Sequence, residues 1–435
     1  MKNIKEFSIY QLIHLSIIAI GMQYVVSTQL NNMSMLYQYL GASSSSIAKL
    51  GIIPPFIGLF VQPIIGQLSD DTFSIYGKRR PYIFIWTLIG CLACILIMFS
   101  SFLWLTFILM TVISSSYNGA VETTRALIGD IIIASQKVKA FAFQTIFAGI
   151  GAGIAALIPY LFAKYFPNHA SFQYHSIPLS LKLSFLLGGI LWLATMLWTV
   201  ITIKEKISHK GWVAKITAKE NILKKSIKLF KRIVKNIKKM PLVLQQFSII
   251  QFFTWLAIYS IWIFFPLAIA QHFYGLPNAD SILSPELTTA MENGRVSANF
   301  YIGIYQIVSI IYSILLIYLN KKISSKILHG ISLVIGALGL LCISFIAQKY
   351  VAICMIAIGI MWGSIITLPY SIIASEIPRY KMGIYFGIFN ISITLPQIVA
   401  SLTLDFIYAY LFRFHAIYMI IFGGLFIFIA GSLTI

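Results

Sequence analysis

Apolar runs of eighteen or more residues follow one another along the whole chain, and no other feature restricts its folding so severely. Each is long enough to cross about 30 Å of hydrocarbon as a helix. We count twelve, roughly at 8–30, 47–68, 82–101, 103–127, 140–163, 182–203, 244–271, 297–319, 326–347, 349–373, 383–405 and 411–434. Lipid offers the backbone no hydrogen-bond partner, so each segment must satisfy its own N–H and C=O groups as a helix. The expected fold class is an all-α membrane protein of twelve transmembrane helices. With 59% hydrophobic and 10% charged residues among 435, the chain falls far short of the quarter or so of charged residues in a soluble domain. No small-residue cleavage site follows the first run, so it reads as a retained helix.

The formal net charge of +20 would suit a nucleic-acid partner, but its distribution does not. Basic residues gather in every second loop: Lys2 and Lys5; Lys78, Arg79 and Arg80; Lys137 and Lys139; the 204–240 segment; Lys321, Lys322 and Lys326; Arg379 and Lys381. The alternate loops hold Asp280, Glu286 and Glu292 instead. This asymmetry places the basic loops and both termini in the cytoplasm. A nucleic-acid partner is not expected. The four cysteines lie in apolar spans as packing residues, and the seven histidines are scattered. Neither set makes a metal-ligand cluster, and no nucleotide-binding loop or nucleophile–base pair appears, so no enzyme, metal or cofactor is expected.

Six spans, a charged middle segment and six more spans divide the chain into an N-terminal bundle at 1–203, a linker at 204–243 and a C-terminal bundle at 244–435. Faint internal symmetry supports two repeats. Helix four ends in Leu127-Ile128-Gly129-Asp130 before a basic loop and a Gly-rich helix, and helix ten ends in Ile373-Ala374-Ser375-Glu376 in the same setting. Within the linker, Leu223, Ile227, Phe230, Val234 and Ile237 recur at helical spacing among lysines and arginine. That pattern makes a basic amphipathic helix, suited to the anionic cytoplasmic leaflet as a strut or to a lock between halves. The outward loop at 273–296 reads as irregular.

Ionisable groups inside a membrane are costly and are functional candidates by default. In helix four, Ser114, Asn118, Glu122 and Arg125 follow spacings of four, four and three, one polar stripe on one face. Glu122 and Arg125 are i,i+3 neighbours, able to pair as a structural ion pair or to release Arg125 to sugar hydroxyls and Glu122 to a proton. Gln23, Gln29, Asn32 and Ser34 in helix one suit cavity lining or helix–helix hydrogen bonding. Gln251, Trp255 and Tyr259 in helix seven present an amide and two aromatic rings on one face, for sugar stacking or for core packing. In helix eleven Asn390, Pro396 and Gln397 interrupt an apolar run and mark a kink.

The segment Gly58–Pro81 (GLFVQPIIGQLSDDTFSIYGKRRP) carries Gly-x-x-x-Asp and then Gly-x-Arg-Arg, and so resembles the loop between helices two and three of major facilitator superfamily transporters. With Gly21–Gly41, Asn118–Asp130 (NGAVETTRALIGD), Gln251–Trp255 (QFFTW) and Gly383–Ser401 (GIYFGIFNISITLPQIVAS), it resembles the sucrose-transporter-like branch, which includes plant sucrose carriers, the animal solute carrier 45 family and bacterial maltose or sucrose permeases. The resemblance implies two bundles working by alternating access, with symport of a di- or oligosaccharide and a proton. It implies that Arg125 is a sugar-site or coupling residue. Asp70, Gly77, Arg79 and Arg80 match the gating loop, to which Asp130 is added at the cytoplasmic end of helix four. The sugar contacts expected are Gln23, Gln29, Asn32, Asn118, Arg125, Gln251, Trp255, Asn390 and Gln397, with Glu122 and Arg125 for the proton.

One departure matters. Many relatives carry an aspartate eleven residues before the helix-four arginine, and here that position is Ser114. Glu122 can take over the proton; otherwise the chain is a uniporter or exchanger of another polar metabolite, or a receptor that transports nothing. The partners expected are a sugar, protons and the bilayer. The Ile-, Lys- and Asn-rich composition points to a multi-pass protein of a bacterial inner membrane, and one twelve-helix unit, a monomer, suffices for a pathway.

Overall fold

The structure, a computed structural model, describes residues 6–42, 52–165, 179–205, 222–277 and 285–435. Lys2, Lys5, Asp280 and the 206–221 part of the linker lie outside them. All regular structure among the described residues is helical: α1 Ile9–Ser16, α2 Ile18–Tyr39, α3 Ile53–Asp70, α4 Arg80–Ile97, α5 Leu103–Ile131, α6 Lys137–Tyr165, α7 Leu179–Thr202, α8 Ile222–Lys238, α9 Leu242–Tyr274, α10 Pro285–Leu319, α11 Ser325–Cys342, α12 Val351–Glu376, α13 Met382–Phe406 and α14 Ala416–Thr434. Local chemistry sets several ends. Ser8 and Gln11 form a reciprocal capping box at the start of α1, Ser324 caps α11, and prolines occupy the first turns of α3 and α4, where a missing N–H costs nothing.

Eleven helices among the described residues, rather than the twelve expected, are long and apolar enough to cross a membrane. They comprise α1 with α2 as one span and every later helix except α3 and α8. The expected span 47–68 maps onto α3, whose length carries Gln62, Gln67 and Asp70, while residues 47–51 lie outside the described ones. The outer loop also differs from expectation: from Pro285 onward it is helical, the first turns of the 35-residue α10.

Contacts divide the chain into two compact units, Met1–Pro241 with Ile373–Ile391, and Leu242–Ile372 with Ser392–Ile435. In the first, the fully buried Trp192 of α7 packs against Gly21 of α2 and Gly90 of α4, where any Cβ would collide with it. The approach of α3 to the start of α13 is as tight, since a Cβ on Gly66 would meet the Gly383 carbonyl. Small residues at helix crossings suit lipid, where close packing replaces the hydrophobic drive between helices. The second unit buries Ala257, Leu333, Ala337, Leu340, Met361 and Ile420, drawn from α9, α11, α12 and α14. After α13 one π-turn, Ile407–Leu411, leads into Arg413 and Phe414 at positive φ of 46° and 65°. Gln271 holds this reversal: its amide donates to the Phe414 carbonyl at 3.0 Å and accepts from Ala416 N–H, the first residue of α14, at 2.7 Å.

Candidate functional site

In the first unit, α5 carries the expected polar row. Ser114, Asn118 and Glu122 are buried on it, with Arg125 half-buried one turn further. Two neighbouring helices supply amides. Gln29 of α2 donates to Ser114 Oγ at 2.7 Å and to the Met110 carbonyl at 3.0 Å, and Gln62 of α3 donates to Asn118 Oδ1 at 2.6 Å. Asn118 passes its own N–H to the Ser114 carbonyl at 2.8 Å. The acceptors of this cluster fare differently. Neither carboxylate oxygen of Glu122 accepts a hydrogen bond, from Arg125 or from any other described residue, and the amide oxygens of Gln29 and Gln62 also lack a donor. Buried polar atoms are rarely left unpaired, because each costs about 1–3 kcal/mol. Four orphaned acceptors along one row therefore describe a surface that takes O–H or N–H donors.

The other expected residues of this unit are occupied elsewhere. Gln23 donates to Ser27 Oγ within α2 at 3.2 Å, and Asn32 donates to the Thr28 carbonyl at 2.8 Å. Both side-chain amides are directed along their own helix. Asn390 donates to the Gly58 carbonyl at 3.1 Å and so ties α13 to α3. Gln62, absent from the sequence expectation, belongs to the row; its signal was an amide inside the apolar run of α3.

The second unit holds a different surface. Gln251 of α9 is fully buried with both side-chain polar atoms unpartnered, and one turn on Trp255 Nε1 lacks an acceptor. The Trp255 ring centroid lies 6.0 Å from those of Trp262 and Trp362, and Trp362 lies 6.3 Å from Tyr305. Tyr259 meets Ser401 Oγ at 2.8 Å, and that hydroxyl bonds the Gln397 carbonyl at 2.8 Å. Trp262 repeats the Trp255 face seven residues later, a signal the sequence carried. Trp362 and Tyr305 come from α12 and α10, and nothing in the linear chain announces their arrival.

The loop joining α3 and α4 builds an ionic cluster in the first unit. Arg79, fully buried, bonds Asp70 and Ser69 through its terminal nitrogens and Asp130 Oδ2 through Nε at 2.9 Å, and Lys78 joins Asp130 at 3.0 Å. Asp70 in turn accepts from the N–H groups of Gly383 and Ile384 at 3.1 and 2.8 Å. These are first-turn donors of α13, which no intrahelical carbonyl can satisfy, and a carboxylate there also meets the positive end of the helix dipole. Lys137 Nζ donates to the Ala374 carbonyl at the end of α12. Gly77, at φ +97°, leaves the room that Glu205 needs to accept from Arg79 N–H at 2.9 Å. Arg80, expected in this group, turns instead toward the Val200 carbonyl on α7. Ser69, Glu205 and Lys137 join the cluster without a motif that would have named them.

A family model described as Major Facilitator Superfamily matches residues 15–401. The sucrose transport protein SUT5 of Oryza sativa subsp. indica is 38% identical over 93 residues, 21% of this chain and 17% of that protein. The general alpha-glucoside permease of Schizosaccharomyces pombe is 24% identical over 274 residues, 58% of this chain and 47% of that one. The matches thus span less than half the length of these curated relatives. Among solved structures, the proton:xylose symporter XylE aligns with a TM-score of 0.64 at 13% identity, covering 97% of this chain and 93% of its own. The human organic anion transporter MFSD10 aligns at 0.68 and 11% identity, covering 98% and 99%. Likeness at this identity shows the fold alone.

Proposed function

We propose, for a chain that belongs to the Major Facilitator Superfamily, that it carries a di- or oligosaccharide of the sucrose or maltose class across a bacterial inner membrane by alternating access, coupled to protons, as a monomer with both termini in the cytoplasm. The observation that carries this reading is the row of orphaned acceptors in the first unit: Gln29 Oε1, Gln62 Oε1 and both oxygens of Glu122. A sugar hydroxyl is a donor of the kind these atoms lack, and Arg125 alongside offers charged donors to its oxygens. In the second unit Gln251 supplies one unpartnered donor and one acceptor next to the Trp255 ring, a pairing of amide and aromatic face that suits a sugar ring. Sucrose and alpha-glucoside carriers among the relatives support the same substrate class.

Glu122 is the assigned proton carrier. It is wholly buried and hydrogen-bonded to nothing described, a setting in which a carboxyl that alternates between charged and neutral forms changes what its site can bind. A second reading rests on Ser114, which accepts from Gln29 and cannot titrate: uniport or exchange of another polar metabolite. Uptake of labelled sucrose and maltose into proteoliposomes, with and without an inward proton gradient, separates the two. Accumulation above equilibrium that needs the gradient supports the symporter. Sugar flux that only equilibrates favours the uniporter, and absence of flux for both sugars removes the assigned substrate class.

A further inference from the structure

The linker helix α8 is docked on the first unit by only one of its three faces. Leu229, Ile233 and Asn236, spaced by four and three, form the inner row: Ile233 is buried, and Asn236 donates to Gln67 Oε1 of α3 at 3.0 Å while accepting from Lys381 Nζ at 3.0 Å. Tyr385 O–H reaches the Lys239 carbonyl at the end of the helix at 3.3 Å. Ile227, Phe230, Val234 and Ile237 form a second row at spacings of three, four and three, and docking does not cover it. Phe230 is 66% exposed, Ile227 48% and Ile237 39%. The third row, Lys228, Lys231, Lys235 and Lys238, is exposed as well. Ile227, Lys228, Lys231, Arg232 and Lys235 together line an open groove of about 370 Å³. Arg232 of α8 pairs with Asp71 at 2.7 Å in a partly exposed ion pair.

A helix held to a protein on one face should present a polar face to water. Here an apolar row and a basic row stand side by side instead, which is the arrangement of a helix lying in a lipid interface, apolar side in the acyl boundary and lysines at the phosphates. The contacts with Gln67, Asp71, Lys381 and Tyr385 hold α8 at the end of α3 and the start of α13. We propose that α8 is a binding surface for anionic phospholipid, whose phosphate sits in the lysine-lined groove while Phe230 and Ile237 enter the adjacent acyl region. The occupant is chosen by charge complementarity and by the apolar row, which a soluble anion would leave bare. This assignment does not depend on the substrate.

The test is hydrogen exchange on the full chain in nanodiscs of phosphatidylcholine, with and without added phosphatidylglycerol, using the amides of α5 as internal reference. With phosphatidylglycerol, exchange across 227–239 is expected to slow by roughly tenfold. Lys228→Gln combined with Lys231→Gln and Lys235→Gln should abolish the difference, and the matching arginine variants should retain it. Equal exchange in both discs would overturn the proposal. So would protection that inorganic phosphate reproduces in phosphatidylcholine discs, since the ligand would then be a soluble anion, and so would protection that survives the glutamine variant.

Discussion

Glu122 and Arg79 are both buried charged residues of the first unit, yet their surroundings differ in kind. Arg79 donates to Asp70, Ser69 and Asp130, whereas neither oxygen of Glu122 accepts a hydrogen bond from a described residue. Saturation marks structure and deficiency marks work, and the two make opposite predictions. Glu122→Gln keeps the shape and an amide for hydroxyl contact but cannot carry a proton. Gradient-driven accumulation should fall at least about tenfold while sugar counterflow across the same vesicles persists. Unchanged accumulation would remove Glu122 from coupling. Arg79→Ala removes the buried cation from between two carboxylates, leaving Asp130 to Lys78 and Asp70 to the Gly383 and Ile384 N–H groups, a loss of up to about 3–5 kcal/mol, seen as a lowered melting temperature in detergent without any substrate present. The α5 row was legible because helical spacing places Ser114, Asn118, Glu122 and Arg125 together. The partners Gln29 and Gln62, which decide how Ser114 and Asn118 are satisfied, arrive from other helices and were not legible.

At the scale of elements, two junctions hold the helices by backbone groups rather than by side-chain identity. The start of α13 is capped by Asp70 from α3, and the contact is possible because Gly66 and Gly383 let the two backbones approach. Gly66→Ala inserts a methyl against the Gly383 carbonyl, and overpacking of this kind costs about 1–3 kcal/mol. The α3–α13 junction should open, read as faster hydrogen exchange at Gly383 and Ile384; protection equal to the parent would show that the approach tolerates a side chain. In the second unit, Gln271→Leu removes the bonds that its side chain makes to the Phe414 carbonyl and the Ala416 N–H across the turn into α14. The orphaned carbonyl and N–H predict a loss of about 1–3 kcal/mol, measured as an earlier thermal transition. Helix existence was plain in the sequence because apolar length alone specifies it. Helix ends were less plain: α10 begins at Pro285 within a loop expected to be irregular, since polar residues such as Glu292, Asn293 and Arg295 can extend a helix beyond its apolar run.

For the whole molecule the open quantity is parity. Eleven described helices qualify as spans and α3 does not, while the charge pattern predicts that α3 crosses as well. With the N-terminal lysines inside, the span Ile9–Met33 leads outward, and only a crossing by α3 returns Lys78, Arg79 and Arg80 to the cytoplasm. If α3 stayed on one side, that cluster and every later basic loop, Lys137 with Lys139, Lys321 with Lys322, and Arg379 with Lys381, would face away from Lys2 and Lys5. The positive-inside bias opposes that arrangement, because each lysine or arginine resists translocation. The polar content of α3 does not forbid a crossing: Gln62 is bonded to Asn118, Ser69 to Arg79, and Asp70 lies at the end of the helix, so its polar groups face protein rather than lipid. If α3 crosses, its apolar length understates the span because its polar side chains are paired inside the bundle, and the sequence pattern and the hydropathy of the described helix then disagree for that reason. Green fluorescent protein folds to a fluorescent state only on the cytoplasmic side, so fusions to each end of the chain decide the matter. Both should fluoresce. Fluorescence from one end alone would make the number of crossings odd and place α3 in the interface rather than across it.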